Sequence, residues 1–320
     1  MAVYTHVDPD DLATLVARYD IGTVVSCKGI AEGVENSNFL LETTGGRFIL
    51  TLYERRVSEA DLPFFVDLLD HLAKHDSPVP AMIRDRNGAA IQQISGRAAC
   101  VIQFLPGISL THPTPGQCEA AGAALGAMHR AVADFGGARE NSMGHRHWRA
   151  VAGGAGNLDT VLPGLQAIVD DELAFLDANW PRDLPAHVIH ADLFPDNVLM
   201  LGERVTGLID FYFAASDFRA YDLVITHASW AFSTDGTHCD PSRARALMRG
   251  YAGEVTLTGA EIAALPVLAR GAALRFLLTR SHDWIHTPAD ALVTRKDPSP
   301  FLARLERYRA ADAAGLFAAA

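Results

Sequence analysis

The sequence is most informative at HADLFPDNVLM, residues 190–200, and at GLIDF, residues 207–211. Asp192 and Asn197 lie in a short loop between two apolar, strand-like segments, and Asp210 ends the next apolar segment. Because a tight hairpin brings the ends of neighbouring strands together, we expect these three side chains to converge. Carboxylate and amide oxygens gathered at one point are the ligands that a divalent cation such as Mg²⁺ prefers.

The same spacing fits the chemistry of phosphoryl transfer. Asp210 and Asn197 are predicted metal ligands next to the phosphates of a nucleotide, and Asp192 is the predicted acceptor of the proton from the attacking hydroxyl. His190 is predicted to belong to the catalytic set by orienting this loop rather than by exchanging protons. A lone His-x-Asp is common by chance, but the asparagine five residues beyond Asp192 and the aspartate eighteen residues beyond it make the combination informative. It predicts a kinase of a small hydroxyl compound.

Composition excludes several other classes. The chain has 320 residues, of which 49% are hydrophobic, and a formal net charge of −11 that disfavours nucleic-acid partners. Its four cysteines form no C-x-x-C pair and are expected to be reduced, as in a cytoplasmic protein. We expect no signal peptide, because the N-terminus lacks the basic and apolar pattern of one. No membrane span is expected, because Arg270 and Arg275 interrupt the longest apolar stretch, Leu265 to Leu278.

The predicted organisation is α+β, with an antiparallel sheet lobe at residues 1–106 and a mostly helical lobe at residues 107–320. The first lobe contains predicted strands near residues 23–28, 37–43, 47–53 and 98–105, an inserted helix at Leu62–Leu72, and a second hairpin at Asn87-Gly88. The pattern changes at Pro106-Gly107, after which apolar residues recur at helical spacing. Helices are predicted for residues 118–132, 158–178, 243–251, 259–279 and 301–317.

These features together resemble the aminoglycoside phosphotransferase and choline kinase superfamily, and within it the homoserine kinases of the kinase-like type. The resemblance is carried by GIAEG and ENSNF (29–33 and 35–39), FILTL (48–52), LIDFY (208–212), YDLVIT (221–226) and TDG (234–236). It spans nearly the whole chain.

The resemblance implies a two-lobed protein-kinase-like fold and the reaction of ATP with L-homoserine to give ADP and O-phospho-L-homoserine, a step toward threonine. It implies ATP and Mg²⁺ as cofactors and a cytoplasmic monomer or homodimer. The nucleotide is expected to contact the glycine loop, polar groups that follow it and the backbone before Pro106. The residues concerned are Gly29, Gly33, Asn36, Ser37, Gln103 and Leu105.

Two further parts of the predicted site are the cation that holds the phosphates and the pocket that holds the acceptor. Most kinases of this fold carry lysine at the position of Thr51 to hold phosphates, and Lys28 is one candidate replacement. Homoserine also carries a carboxylate, for which Arg275 is the candidate partner, and Tyr212 and Asp217 are candidates to line the acceptor pocket.

Two alternatives remain open at this stage. The acceptor can be another small hydroxyl compound, such as choline, an aminoglycoside or a hydroxy amino acid. The chain can also be a pseudokinase scaffold that binds nucleotide without turnover, which only the missing lysine favours. An intact set of Asp192, Asn197 and Asp210 disfavours the scaffold.

Overall fold

The computed structural model describes residues 5–30, 36–54, 58–287, 295–310 and 312–318. The chain divides into two compact units, Met1–Pro106 and Gly107–Ala320. The first contains an antiparallel sheet and the second is mainly helical, so the predicted α+β class is confirmed.

The N-terminal unit is built on a sheet whose described residues form six antiparallel strands in the order β1-β2-β3-β6-β4, with β5 also paired to β6. Its elements are α1 (Pro9–Val16), β1 (Val24–Gly29), β2 (Ser37–Thr43), β3 (Gly46–Leu52), α2 (Leu62–Lys74), β4 (Met82–Ile83), β5 (Ile91–Ile94) and β6 (Arg97–Gln103). Alternate residues of β2 are buried, as expected for a strand with one face on the core. That core includes Leu12 of α1 together with Leu41 and Leu50.

The hairpin predicted at Asn87-Gly88 is wrong. Strands β4 and β5 do not pair with each other but with consecutive stretches of β6. Asp85 closes the loop between them, because its Oδ1 accepts hydrogen bonds from the backbone N–H groups of Asn87 and Ala89. The chain therefore resumes its earlier direction. The tight turn lies at Ser95-Gly96 between β5 and β6, where both residues have positive φ, 51° and 72°.

The C-terminal unit combines helices with two short antiparallel strand pairs, β8 with β9 and β7 with β10. Its elements are α3 (Pro115–Ala131), α4 (Trp148–Ala155), α5 (Leu165–Asn179), β7 (Ala186–Ile189), β8 (Val198–Leu201), β9 (Arg204–Leu208), β10 (Ala215–Phe218), α6 (Arg219–Trp230), α7 (Pro241–Glu254), α8 (Gly259–His286) and α9 (Ser299–Arg309).

Helices α3 and α7 pack at backbone distance because each has a glycine at the contact. A Cβ atom on Gly122 would lie 2.1 Å from the carbonyl oxygen of Leu247, and one on Gly250 would lie 2.0 Å from that of Glu119. This close approach brings side chains from the two helices into contact, as with His129 of α3 and Tyr251 of α7.

Helix α8 is long and apolar enough to cross a membrane, but 61% of its most apolar stretch is buried within the protein. Its arginines are also tied to the C-terminal unit. Arg270 forms a bidentate pair with the buried Glu172, at 2.6 and 2.7 Å, and Arg275 is 2% exposed. This is the pattern of a core helix, because a charge buried inside a protein needs a partner there.

Candidate active site

The β8–β9 hairpin brings the two predicted metal ligands together. Asn197 immediately precedes β8, and Asp210 follows β9 after one intervening residue. The backbone N–H of that residue, Ile209, donates a hydrogen bond to the carbonyl of Asn197 at 3.0 Å, which extends the strand pairing to the open end of the hairpin. Both side chains offer oxygen atoms, so their chemistry fits a hard divalent cation.

Asp192 is held against Asn197. The Asn197 Nδ2 donates to the backbone carbonyl of Asp192 at 2.7 Å and to its carboxylate Oδ2 at 3.2 Å. Because both nitrogen-bound hydrogens face Asp192, the amide oxygen of Asn197 is directed elsewhere and is available as a ligand. Burial raises the pKa of Asp192 to about 7, with a further contribution from Asp210 and an opposing one from Arg275.

The backbone around these groups is strained at two points. Ala191 and Asp210 have φ values of 64° and 65°, in the left-handed region that non-glycine residues rarely adopt. Each such residue costs about 1–3 kcal/mol and persists only where its surroundings enforce it. Both strained residues lie at the site, because Ala191 directly precedes Asp192 and Asp210 is itself a predicted metal ligand.

Asp222 supplies one side of the support for Ala191. This fully buried carboxylate accepts hydrogen bonds from the backbone N–H groups of His190, at 2.7 Å, and Ala191, at 2.8 Å. Its Oδ2 also lies 3.0 Å from Nε2 of His129, whose Nδ1 lies 2.9 Å from the Tyr251 hydroxyl. Burial alone would raise the pKa of Asp222, but the hydrogen bond and charge of His129 and the backbone donors hold it below its usual value.

Arg275 supplies the other side of that support. Its Nη1 donates to the carbonyl oxygen of Ala191, so the same strained residue is held at its N–H by Asp222 and at its carbonyl by Arg275. The guanidinium lies 4.5 Å from the ring of Phe276 and 5.5 Å from that of Phe213. The sequence-based assignment of Arg275 to the acceptor carboxylate stays a prediction, and the structure places its side chain inside the unit.

His190 connects the catalytic loop to the strand that carries Asp210. Its Nε2 donates to the carbonyl of Ile209 at 3.0 Å, and its Nδ1 accepts from the N–H of Asp192 at 3.2 Å. Burial lowers the pKa of His190, and this pattern of one donor and one acceptor is that of a neutral ring. The side chain is fully buried, so the geometry gives it a positioning role.

The two predicted pocket residues lie just beyond Asp210. Tyr212 is half-buried in a single helical turn, Phe211–Phe213. Asp217 lies in β10, where its Oδ2 accepts a hydrogen bond from Nδ2 of Asn141 at 2.6 Å. Burial raises the pKa of Asp217 and the hydrogen bond from Asn141 opposes that rise. Their contact with an acceptor stays a prediction.

The predicted nucleotide-binding residues belong to the N-terminal unit. Gly33 lies in the segment 31–35, which is outside the described residues. Gly29 is exposed at the end of β1. Gln103 is exposed at the end of β6, where its backbone N–H donates to Ala81, and Leu105 is half-buried two residues later.

Asn36 and Ser37, predicted as phosphate donors, point into the unit. Ser37 is fully buried, and its hydroxyl donates to Oε1 of Glu54 at 2.7 Å. Asn36 is 2% exposed and accepts from the backbone N–H of Glu54 at 3.3 Å. Arg97 completes this network, with its Nε 3.2 Å from Glu54. These side chains stabilise the sheet in this structure, and their nucleotide contacts stay predictions.

Thr51, at the position where lysine is usual, also bonds within the sheet. Its hydroxyl donates to Oδ1 of Asn38 at 2.7 Å, directly across the β2–β3 pairing. The side chain is 1% exposed. A neutral cross-strand pair therefore occupies the place of a charged phosphate ligand.

Comparison with known proteins agrees with this geometry. The model of the phosphotransferase enzyme family matches residues 26–261. The chain belongs to this family. Within it, the chain is 50% identical to a homoserine kinase of Xanthobacter autotrophicus strain Py2 over 98% of each chain, and 52% identical to one of Nitrobacter winogradskyi over 95% of this chain and 94% of that one. The predicted resemblance to homoserine kinases is confirmed.

Solved structures of phosphotransferases confirm the kinase-like fold. A microcompartment-associated aminopropanol kinase superposes with a TM-score of 0.72 at 19% identity, covering 97% of this chain and 100% of that one. A spectinomycin phosphotransferase superposes with a TM-score of 0.69 at 14% identity, covering 98% of each chain. At such low identity the likeness concerns the fold alone.

Proposed function

We propose that this phosphotransferase is a homoserine kinase, which transfers the γ-phosphoryl group of ATP to the side-chain hydroxyl of L-homoserine. The products are ADP and O-phospho-L-homoserine, in a step toward threonine. The observation that carries the proposal is that half the residues are shared with curated homoserine kinases over 98% of the chain. The convergence of Asp192, Asn197 and the hairpin that bears Asp210 supports it.

Asp192 acts as the general base. The hydroxyl oxygen of homoserine attacks the γ-phosphorus, the bond to the oxygen between the β- and γ-phosphates breaks, and the hydroxyl proton passes to the Asp192 carboxylate. Asn197 occupies Oδ2 of that carboxylate, which leaves Oδ1 to take the proton. A base is most effective when its pKa lies near the working pH, and burial raises the pKa of Asp192 to about 7.

Asn197 and Asp210 would hold Mg²⁺ through side-chain oxygens. The bound ion would neutralise charge on the phosphates. The protein's own contribution is positional: Asp222 and Arg275 fix the backbone of Ala191, the residue before Asp192, and His190 ties that loop to the residue before Asp210. Fixed geometry of this kind is the main catalytic tool in phosphoryl transfer, where the protein forms no covalent bond to the substrate.

The N-terminal unit would bind the nucleotide. Backbone amides of the loop that begins at Gly29 would contact phosphates, as in other anion-binding turns. Backbone groups at Gln103 and Leu105 would contact adenine. Because Thr51 is neutral and bonded to Asn38, the phosphate charge is left to these amides and to the Mg²⁺ site. We propose a cytoplasmic monomer or homodimer as the working state.

An acceptor screen with purified protein, ATP and Mg²⁺ tests the proposal. ADP release is measured with L-homoserine, L-serine, choline and an aminoglycoside, and phosphorus NMR identifies the product. We expect L-homoserine to give the highest kcat/KM by at least about tenfold. A higher value for choline or the aminoglycoside would assign the chain to another acceptor. Nucleotide binding without turnover of any acceptor would identify a scaffold.

A further inference from the structure

The C-terminal unit contains a cleft of about 590 Å³ beside the catalytic loop. Phe194, Pro195 and Asp196, which follow the catalytic Asp192, line one side of it, and residues of α8 and α9 line another. Its volume is in the range of small-ligand sites.

The charge of the cleft is opposite to that of the whole chain. Its described lining includes one carboxylate, Asp196, and four cationic side chains, whereas the chain as a whole has a net charge of −11. The cationic side chains are Arg243, Arg280, Lys296 and Arg304. A positive cleft in an acidic protein favours an anionic group of a ligand.

Three of these cations have partners within the unit. Arg304 is 6% exposed and donates to the carbonyl oxygens of Ala228, Pro300 and Ser233. Arg243 lies 3.3 Å from Asp240, the residue that caps the N-terminus of α7. Lys296 lies 3.7 Å from Asp196. Their charges are balanced or their donors are used, so none is the best candidate for a ligand anion.

Arg280 differs from the other three. Within the described part of the chain it has no carboxylate partner within 4 Å, and its hydrogen bond is from Nη1 to the carbonyl of Asp297 at 3.1 Å. The guanidinium packs 4.5 Å from the ring of Phe301, which fixes its plane. The remaining N–H groups form an edge of the kind that binds a carboxylate through two parallel hydrogen bonds.

Electrostatics agrees with this geometry. Burial, together with the nearby charge of Arg304, lowers the pKa of Arg280 to about 10. Asp192 and Asp196 oppose that shift, so the guanidinium lies within electrostatic reach of the catalytic carboxylate. A partly desolvated cation that lacks a close carboxylate gains most from a ligand that supplies one.

We propose that Arg280, rather than Arg275, binds the α-carboxylate of the acceptor amino acid in this cleft. The assignment rests on the proposed homoserine kinase function and names the residue that selects an amino acid over an amino alcohol. Arg275 is 2% exposed and holds the Ala191 carbonyl, whereas Arg280 is half-buried at the wall of the cleft. Phe194, Pro195 and Asp196 of the same cleft closely follow Asp192 in the chain, which puts a homoserine held by Arg280 beside the catalytic loop.

The test compares L-homoserine with 3-aminopropan-1-ol, which is homoserine without its carboxylate. Steady-state kinetics gives KM and kcat for homoserine, and the apparent affinity for 3-aminopropan-1-ol is measured as substrate or competitive inhibitor. Arg280→Met is expected to lower kcat/KM for homoserine on the order of 10- to 100-fold, mainly through KM, because a charge-assisted hydrogen-bonded pair is lost. The affinity for 3-aminopropan-1-ol is expected to change less than about twofold.

Three further variants separate this role from general effects. Arg280→Lys keeps the charge but not the two-pronged geometry and is expected to recover part of the loss. Arg249→Met removes a charge from an exposed pair with Glu119 and is expected to match the wild type. Arg275→Met is expected to lower kcat with both compounds, because it releases the catalytic loop.

Several outcomes would overturn the assignment. Equal losses on homoserine and 3-aminopropan-1-ol in Arg280→Met would show a structural role, and an unchanged KM for homoserine would remove Arg280 from the site. These results differ from a failure of the proposed function itself, which would appear as wild-type protein that does not phosphorylate homoserine at all.

Discussion

The catalytic loop of the C-terminal unit and the β2–β3 region of the N-terminal unit use buried polar side chains in different ways. Around the loop, Asp222 and Arg275 bond to the backbone of one strained residue and so determine where its neighbour, Asp192, points. In β2–β3, Thr51 and Ser37 bond to other side chains of the same unit. The first arrangement fixes the backbone beside the proposed general base, and the second stabilises a sheet.

This difference predicts how each region responds to mutation. Removing a polar side chain that holds strained backbone lets the backbone relax, so turnover falls together with stability. Removing one that bonds across a sheet costs stability but leaves distant chemistry intact. Substitutions in the two regions can therefore be compared by how their effects divide between kcat and the free energy of unfolding.

The largest effect is expected at the reactive group itself. Asp192→Asn removes the proposed proton acceptor and should lower kcat by about 10²- to 10⁴-fold, the usual contribution of a general base. The free energy of unfolding should change by less than about 1 kcal/mol, because the amide has nearly the same shape. Steady-state ADP release and urea denaturation measure the two quantities.

The exposed Asp183, just before β7, provides a matched control for Asp192. Asp183→Asn makes the same chemical change outside the site and should leave kcat at the wild-type value. Wild-type turnover by Asp192→Asn would mean that another group accepts the proton.

A smaller but more diagnostic effect is expected for Asp222→Asn. The amide cannot accept all the hydrogen bonds that the carboxylate receives from His190, Ala191 and His129, so the strained Ala191 loses part of its support. We expect kcat to fall on the order of 10²-fold, as for a small misplacement of a catalytic group, and stability to fall by about 3 kcal/mol.

Glu172 is the matched control for Asp222, since it is also a fully buried carboxylate and pairs with Arg270 away from the loop. Glu172→Gln should lose a similar amount of stability and keep its kcat. If the two variants lost turnover equally, loss of kcat would follow instability in general, and the supporting role of Asp222 would be wrong.

The sequence was most predictive where spacing is local. Asp192, Asn197 and Asp210 converge because one loop and one hairpin carry them, and that much is readable along the chain. The burial of Ser37 can also be predicted from the sequence. Ser37 lies on the same face of β2 as Phe39 and Leu41, and both of those residues are buried.

Contacts between residues that are far apart in the sequence could not be predicted in this way. His129, which contacts Asp222 from 93 residues away, sits in an alanine-rich helix with nothing beside it to mark its role. Whether Arg275 or Arg280 is placed to bind the acceptor carboxylate depends on which face of α8 lines the cleft. Five residues turn a helix by about 140°, so the two arginines face different surroundings that only packing defines. The pairing of β4 with β6 is likewise non-local.

The smallest effect on turnover is expected at Thr51. Thr51→Val keeps the shape of the side chain but removes its hydrogen bond to Asn38, which should lower stability by about 1 kcal/mol in urea denaturation. Because the hydroxyl is 1% exposed and bonded within the sheet, KM for ATP and kcat should both stay within about twofold of the wild type. A KM for ATP raised about tenfold at unchanged stability would show that Thr51 contacts the nucleotide. The polar side chains of β2–β3 would then not serve only to stabilise the sheet.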